Sequence, residues 1–287
     1  MSDNLLHIVK LSKMTISLSL CVLGSGSSGN CSALVVNNEG ERKVILIDLG
    51  LSRRQTAFRL DMVGISMDEV SGALITHLDT DHYSRSWYGR TPDTITVHMH
   101  RRHLGRAERC DMLGKHTEPF TGSFELFNCL IEPILVDHDS LGTCAFRIRS
   151  NAGDLGFITD CGRITKELIE HVHGVDVLAI ESNYDPGLQL SSGRPGFLIS
   201  RIMGGQGHLS NMEAKKAIRA IQPRREVVLL HLSRQCNHPD LIRPLYENDG
   251  SGLADRIVIS SQNLPTRWVH LSREEGVIPD LTEPILF

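Results

Sequence analysis

No stretch of this 287-residue chain stays apolar for the ~20 residues that a helix needs to cross a bilayer, so no transmembrane helix is expected. The seven cysteines, Cys21, Cys31, Cys110, Cys129, Cys144, Cys161 and Cys236, are odd in number and scattered, with no C-x-x-C pair. That speaks against a disulfide framework or a disulfide-linked partner and makes a reducing cytoplasm the expected compartment. Positive charge is not in excess either. With a formal net charge of -4 and a pI near 6.4, the chain lacks the global field that clamps DNA or RNA, so any nucleic-acid contact must be local. Repeats and low-complexity segments are absent. Lys10 and Lys13 ahead of the run 16–23 mimic the start of a signal peptide. That run alternates like a strand, however, and leads into Gly24-Ser25-Gly26-Ser27-Ser28-Gly29-Asn30, an unsuitable cleavage region. Met14 is a candidate natural start. The expected organisation is an N-terminal extension over 1–13, one domain over 14–271 and a C-terminal tail over 272–287 that docks on the domain or on a partner.

What is present is a length and apolar content, 40% hydrophobic against 22% charged, that suit one large domain with a sizeable core. Short apolar runs recur at 17–23, 33–36, 44–47, 73–75, 134–136, 157–159, 177–180, 227–230 and 257–259, and read as buried strands. Helix signals lie between some of them. Ser52 with Gln55, closed by Gly64, and Ser210 with Glu213, opening a helix over 211–221, are capping boxes, while 165–172 is a third helix. Strands succeed one another early and helices are interspersed throughout. The pattern predicts an α/β (α+β) fold in which two sheets pack together with helices outside, and not a doubly wound parallel sheet.

His77-Leu78-Asp79-Thr80-Asp81-His82 follows the stretch Gly72-Ala73-Leu74-Ile75-Thr76 directly and places four potential metal ligands within six positions. Imidazole nitrogen and carboxylate oxygen suit Zn²⁺, Fe²⁺ and Mn²⁺, and a turn leaving a strand can aim alternate side chains at one point. Further ligand types arrive in the same way: His138 after 134–136, Asp160 after 157–159 and His231 after 227–230. Strand ends in a layered fold converge on one rim, which is how residues far apart in sequence meet.

In order and spacing, His77-x-Asp79-x-Asp81-His82, His138, Asp160 and His231 resemble the metallo-β-lactamase fold superfamily. Within it, the 24–30 loop, Glu181-Ser182-Asn183, Gly207-His208-Leu209-Ser210-Asn211 and His231-Leu232-Ser233 are similar to the YycJ/WalJ group of exonucleases. The resemblance implies a four-layer αββα sandwich and two divalent metal ions, zinc, manganese or iron. His77, Asp79 and His138 would hold one, Asp81, His82 and His231 the other, with Asp160 bridging. It also implies hydrolysis of a phosphodiester in nucleic acid by a hydroxide held between the metals, with Asp81 and His208 as catalytic residues. The departure is Asp79, where the superfamily usually has histidine. A carboxylate there makes the first site harder and more negative, which favours iron or manganese relative to zinc. A small-molecule hydrolase acting on a lactone, thioester or cyclic phosphate would use the same metals, and a chain with a degraded first site would not be a hydrolase at all.

Glu181-Ser182-Asn183 reads either as a set that orients a ligand histidine or as an ordinary strand-end turn. Ser210 and Asn211 open a helix whose free N–H groups favour an anion. Ser25, Ser27 and Asn30, on a glycine-rich loop lacking a Walker lysine, are expected at the rim beside the metals, and Ser233 completes the candidate substrate contacts. Basic clusters stand at Arg53-Arg54, at 100–109 with Arg101, Arg102 and Arg106, and at Arg224-Arg225. The second is read as a path for a nucleic-acid backbone, contacting it away from the metals.

Overall fold

The chain alternates between extended runs and short helices, and the computed structural model describes residues 16–271 except 39, 248, 249 and 251. The expected extension over 1–13 and tail over 272–287 lie outside the described residues. In chain order the strands are β1 (Ile16–Gly24), β2 (Cys31–Asn38), β3 (Glu41–Ile47), β4 (Val70–Ile75), β5 (Thr96–His100), β6 (Thr117–Phe120), β7 (Phe124–Leu126), β8 (Cys129–Val136), β9 (Thr143–Ser150), β10 (Gly153–Ile158), β11 (Val177–Glu181), β12 (Glu226–Leu230), β13 (Ile257–Ile259) and β14 (Val269–Leu271). They form two seven-stranded sheets, ordered β14-β1-β2-β3-β4-β5-β6 and β13-β12-β11-β10-β9-β8-β7. Each sheet has an antiparallel half and a parallel half, the change falling at β3 in the first and at β10 in the second. Every apolar run read as a strand lies on one, with 157–159 overrunning the end of β10 by a residue.

The sheets pack face to face, which explains why strand side chains are buried on both sides. Leu18, Leu20 and Val22 of β1 meet Ile131, Phe146, Phe157 and Ala179 of the other sheet between the layers. The alternate residues Cys21 and Leu23 face outward with Leu60, Val63 and Ala107, beneath helices α1 (Arg53–Met62) and α2 (Arg101–Arg109). On the far side Ile158, Ile180 and Leu229 pack with Leu168, Val172, Ala217 and Ile221 of α3 (Lys166–Val172) and, beyond two short helices, α4 (Pro186–Leu190) and α5 (Gly196–Arg201), of α6 (Asn211–Ile221). The result is helix, sheet, sheet, helix, as expected. The capping boxes of α1 and α6 form at Ser52/Gln55 and Ser210/Glu213, and Thr165 caps α3. No helix among the described residues is long and apolar enough to cross a membrane, and all seven cysteines are unpaired.

β9 is a strand that apolar runs did not reveal, because Arg147 and Arg149 interrupt it. Its inner positions Cys144, Phe146 and Ile148 are buried, while Arg147 turns outward to Asp154 at 2.6 Å. Parallel strands leave their carboxyl ends on one rim, where three loops lock together. Asn30 N–H donates to Asp81 O at 2.7 Å and Gly50 N–H donates to Asn30 O at 2.8 Å. A Cβ on Gly50 would sit 1.8 Å from Asp81 O and 2.5 Å from Asn30 N, so only glycine permits this approach. Gly50→Ala is expected to cost ~1–3 kcal/mol by overpacking, lowering the thermal unfolding midpoint by several degrees and weakening metal binding with it; an unchanged melting curve would contradict this account of the rim.

Candidate metal centre

All seven candidate ligands sit in loops that leave the carboxyl ends of strands: His77, Asp79, Asp81 and His82 after β4, His138 after β8, Asp160 after β10 and His231 after β12. They converge from both sheets. Two close groups result, His77 with Asp79 and His138, and Asp81 with His82, Asp160 and His231. Asp160 divides itself between them. Its Oδ1 lies 3.3 Å from His82 Nε2 and 2.5 Å from His231 Nδ1, while Oδ2 lies 3.5 Å from His77 Nε2 and 3.7 Å from His138 Nε2. Asp81 Oδ2 is 3.5 Å from His231 Nε2, and Asp79 Oδ2 is 3.8 Å from His138 Nε2.

His77, His82 and His138 share one orientation, with Nδ1 turned away from Asp160, whereas His231 Nδ1 stands between Glu181 and, at 2.5 Å, Asp160. His77 Nδ1 donates to Thr76 Oγ1 at 3.0 Å, His82 Nδ1 to Asp48 Oδ2 at 2.7 Å, His138 Nδ1 to Gly207 O at 3.0 Å and His231 Nδ1 to Glu181 Oε1 at 3.2 Å. Engaging Nδ1 fixes the tautomer and leaves Nε2 as the inward donor, which is how imidazole is prepared for a metal. His77 Nε2 is buried with no hydrogen-bond partner, a cost of roughly 1–3 kcal/mol unless something fills it. An orphaned inward nitrogen among carboxylate oxygens fits a divalent transition metal.

Electrostatics agree with that fit. Burial pushes the Asp160 carboxyl up, but the charges of His231 and His82 outweigh it and hold the group well below the usual carboxylate range. Burial would push His82 and His231 down, yet Asp160, joined by Asp48 at His82, raises both well above the usual histidine range. His77 goes the other way, lowered by burial and then by the neighbouring His82 charge. Without a metal, protons are therefore favoured on His82 and His231 and disfavoured on His77.

Glu181, for which sequence left two readings open, is the hub of the second half. It is fully buried; Oε1 accepts from His208 Nδ1 at 2.7 Å as well as from His231, and Oε2 accepts from the N–H groups of Cys161 at 3.0 Å and Leu209 at 3.2 Å. The histidine-orienting reading is the one the geometry favours. Asn183 adds a bond from Nδ2 to His231 O at 2.7 Å. Asp48 was missed by sequence reasoning, being a lone aspartate after β3 with no motif around it. Its φ of 63° and bonds from Thr76 are the only signs of its role, and both are structural.

A cavity of about 230 Å³ opens on this centre, lined by Ser27, Asp79, Asp81, His138, Asp160, His208, His231 and, from α5 and the turn after it, Leu198, Arg201 and Ile202. Of the expected substrate contacts, Ser27 alone faces it. Ser25 Oγ donates to Asn30 Oδ1 and accepts from His231 N–H; Asn30 Nδ2 reaches His82 Nε2 at 2.9 Å and Asp81 O at 3.2 Å. Both are buried supports of the ligand loops. Asn211 is spent on Ser182 and Asn237, and Ser233 Oγ accepts from Cys236 N–H. Ser210 likewise fails as an anion site, because the Glu213 carboxylate already occupies the α6 N-terminus. These five residues make hydrogen bonds within the fold and do not line the cavity.

The basic clusters divide too. Arg224 and Arg225 precede β12, at the opposite end of the strand from His231 and roughly 20 Å away by strand rise. Arg53 lies over the Trp87 ring at 5.9 Å. Arg106, expected to contact substrate away from the metals, instead reaches Asp79 Oδ1 at 3.0 Å and Asp139 Oδ2 at 3.4 Å. Its charge offsets the extra negative charge that a carboxylate brings to this position, and Asp79 is held well below the usual carboxylate range by His138 and, against burial, by His77 and Arg106.

The beta-lactamase superfamily domain matches residues 43–232. The exodeoxyribonuclease YycJ of Bacillus anthracis is 25% identical over 262 residues, covering 87% of this chain and 98% of the relative. The exodeoxyribonuclease WalJ of Streptococcus pneumoniae is 27% identical over 259 residues, covering 85% and 95%. Among solved structures, the metallo-β-lactamase fold protein YhfI from Bacillus subtilis superposes with a TM-score of 0.64 at 15% identity, covering 87% of this chain and 98% of that one. That last likeness is one of fold.

Because Asp79 is partly exposed and shares itself with Arg106, the Asp81/His82/His231 set should fill first; calorimetric titration should show a tight event lost in His231→Ala and a weaker one lost in Asp79→Ala, and equal loss of both in both variants would reverse the ranking. Metal uptake should also release protons, since His82 and His231 are raised. Their protonation stabilises the metal-free fold fully below the usual histidine value and is lost as pH rises through the raised values, so metal affinity climbs over that same window. Binding heats that do not depend on the ionisation enthalpy of the buffer would contradict the assignment.

Proposed function

This chain belongs to the beta-lactamase superfamily domain family, and from that premise we propose that it is a metal-dependent phosphodiesterase that removes nucleotides from the end of a nucleic-acid strand in a reducing cytoplasm. The observation that carries the reading is the division of Asp160, one oxygen against each ligand set, which suits a pair of cations. Near full-length similarity to two proteins named exodeoxyribonucleases supports nucleic acid as substrate.

Two divalent cations, zinc, manganese or iron, supply Lewis acidity toward a phosphate and an acidified water when bound. His77, Asp79 and His138 would hold one and Asp81, His82 and His231 the other, with Asp160 between. The rest falls to the chain. Asp81 lines the cavity and orients the attacking water. His208 lines it as well, with Nδ1 tied to Glu181, so its Nε2 is free to give a proton to the leaving oxygen as the phosphorus–oxygen bond breaks. A cavity of about 230 Å³ holds the reacting phosphate and leaves most of the strand outside.

With Mn²⁺ supplied, the protein should shorten oligonucleotides from an end, and His208→Ala should lower kcat by ~10²-fold or more on both an oligonucleotide and bis(p-nitrophenyl) phosphate. Arg106→Ala should slow both substrates as well, because it acts through Asp79. Turnover of a lactone or thioester with no cleavage of any phosphodiester would replace this reading by a small-molecule hydrolase.

A further inference from the structure

Helix α5 stands at the mouth of the cavity, and its inner side is seated. Leu198 and Ile202, four apart, pack with Met203 against Tyr184 and Cys236. The neighbouring side is open. Phe197 is 78% exposed, and Arg201, one helical turn further on, lines both the metal cavity and a second cavity of about 460 Å³ formed with Asp137, His138, Asp139, Ser140 and Gln206. The acids of that second cavity are matched, Asp137 by Arg163 at 3.5 Å and Asp139 by Arg106 at 3.4 Å. Arg201 makes no ion pair or side-chain hydrogen bond among the described residues.

A single exposed apolar ring needs no explanation. Here the exposed ring stands one turn from Arg201, a cation unpaired among the described residues that lines both the reacting centre and a cavity large enough for a base and sugar. Aromatic stacking with a nearby guanidinium is how a strand is held without reading its sequence, and it needs the base to be unpaired. We infer that Phe197 and Arg201 form a subsite for the unpaired terminal nucleotides of a single strand, the ring stacking on a base and the guanidinium gripping a phosphate beside the scissile one. The inference rests on the nuclease reading above and adds the strandedness of the substrate and two residues that select it.

Fluorescence anisotropy with a labelled single-stranded phosphorothioate oligonucleotide, which resists cleavage, tests the subsite directly. Phe197→Ala should weaken binding about tenfold, the loss of one stacked base, and Phe197→Trp should restore it. Arg201→Gln should reduce the slope of log affinity against log salt by about 0.7, one phosphate contact on a single strand. In turnover, Phe197→Ala should shift the ratio of kcat/KM values about tenfold from the oligonucleotide toward bis(p-nitrophenyl) phosphate. Equal changes on both substrates, an unchanged affinity, or a change of oligomeric state in place of affinity would overturn the subsite while leaving the nuclease standing. If the wild-type protein neither binds nor cleaves any oligonucleotide yet turns over another ester, both readings fall together.

Discussion

Asp160 gives one carboxylate oxygen to each half of the centre, and most of what is unusual in this fold exists to hold it there. Its φ of 41° lies in the left-handed region, as do those of Asp48 at 63° and His231 at 55°. Such backbone costs of order 1–3 kcal/mol for each non-glycine residue and persists only where the surroundings over-determine it. The surroundings here are two sheets packed across a continuous apolar layer, each ending its parallel strands on the same rim. A carboxylate shared between sheets could not keep both sets of contacts if the pairing of β10 slipped by one residue, since such a slip turns every side chain of the strand to the other face.

Holding so many acids together without cations needs compensation, and the chain provides it in two ways. Asp48 and Asp160 are buried and face His82 and His231, which they raise above the usual histidine range, while the buried Glu181 accepts four hydrogen bonds. Asp79 is less buried and faces an arginine instead. A neutral histidine at that position would need no such partner, so the aspartate and Arg106 are best understood together: the guanidinium takes one oxygen and leaves the other toward His138. The first half of the centre is thereby made of harder donors while its net charge stays close to that of a histidine-containing site. The second half is braced by Glu181, whose four hydrogen bonds tie β10, β12 and the 207–209 segment into one unit.

The candidate ligand set was legible in the sequence because metal chemistry restricts residue types and strand ends restrict their placement. His77, Asp79, Asp81, His82, His138, Asp160 and His231 all obey both restrictions, and the structure brings them together. Buried strands and capped helices were legible for a similar reason, since apolar runs and capping boxes are local signals. What could not be read depends on three-dimensional partners. Asp48 and Arg106 are ordinary charged residues until the fold places them against His82 and Asp79. Ser210 and Asn211 looked available because an uncapped helix start attracts anions, yet Glu213 of the same capping box satisfies it. β9 hid because its outward arginines pair with acids on a neighbouring strand and break the apolar run.

The segment from α5 to His208 joins the rim to the chemistry through a short stretch of backbone. After α5 the chain kinks over Ile202–Gln206, where Gly205 leaves helical geometry at φ 78°. Gly207 then gives its carbonyl to His138 Nδ1 before the chain reaches His208. Side chains are excluded at two points of this path: a Cβ on Gly207 would meet Ile202 at 2.6 Å, and one on Gly162 would meet Gly205 O at 2.5 Å. The left-handed glycine re-aims the side chains beyond the kink. Here it lets one segment carry Arg201 on the wall, orient His138 through a carbonyl and present His208 to the cavity. Contacts made at the mouth are therefore linked by fewer than ten residues of chain to two groups at the centre, so the geometry of the rim and that of the metal ligands are constrained by the same backbone.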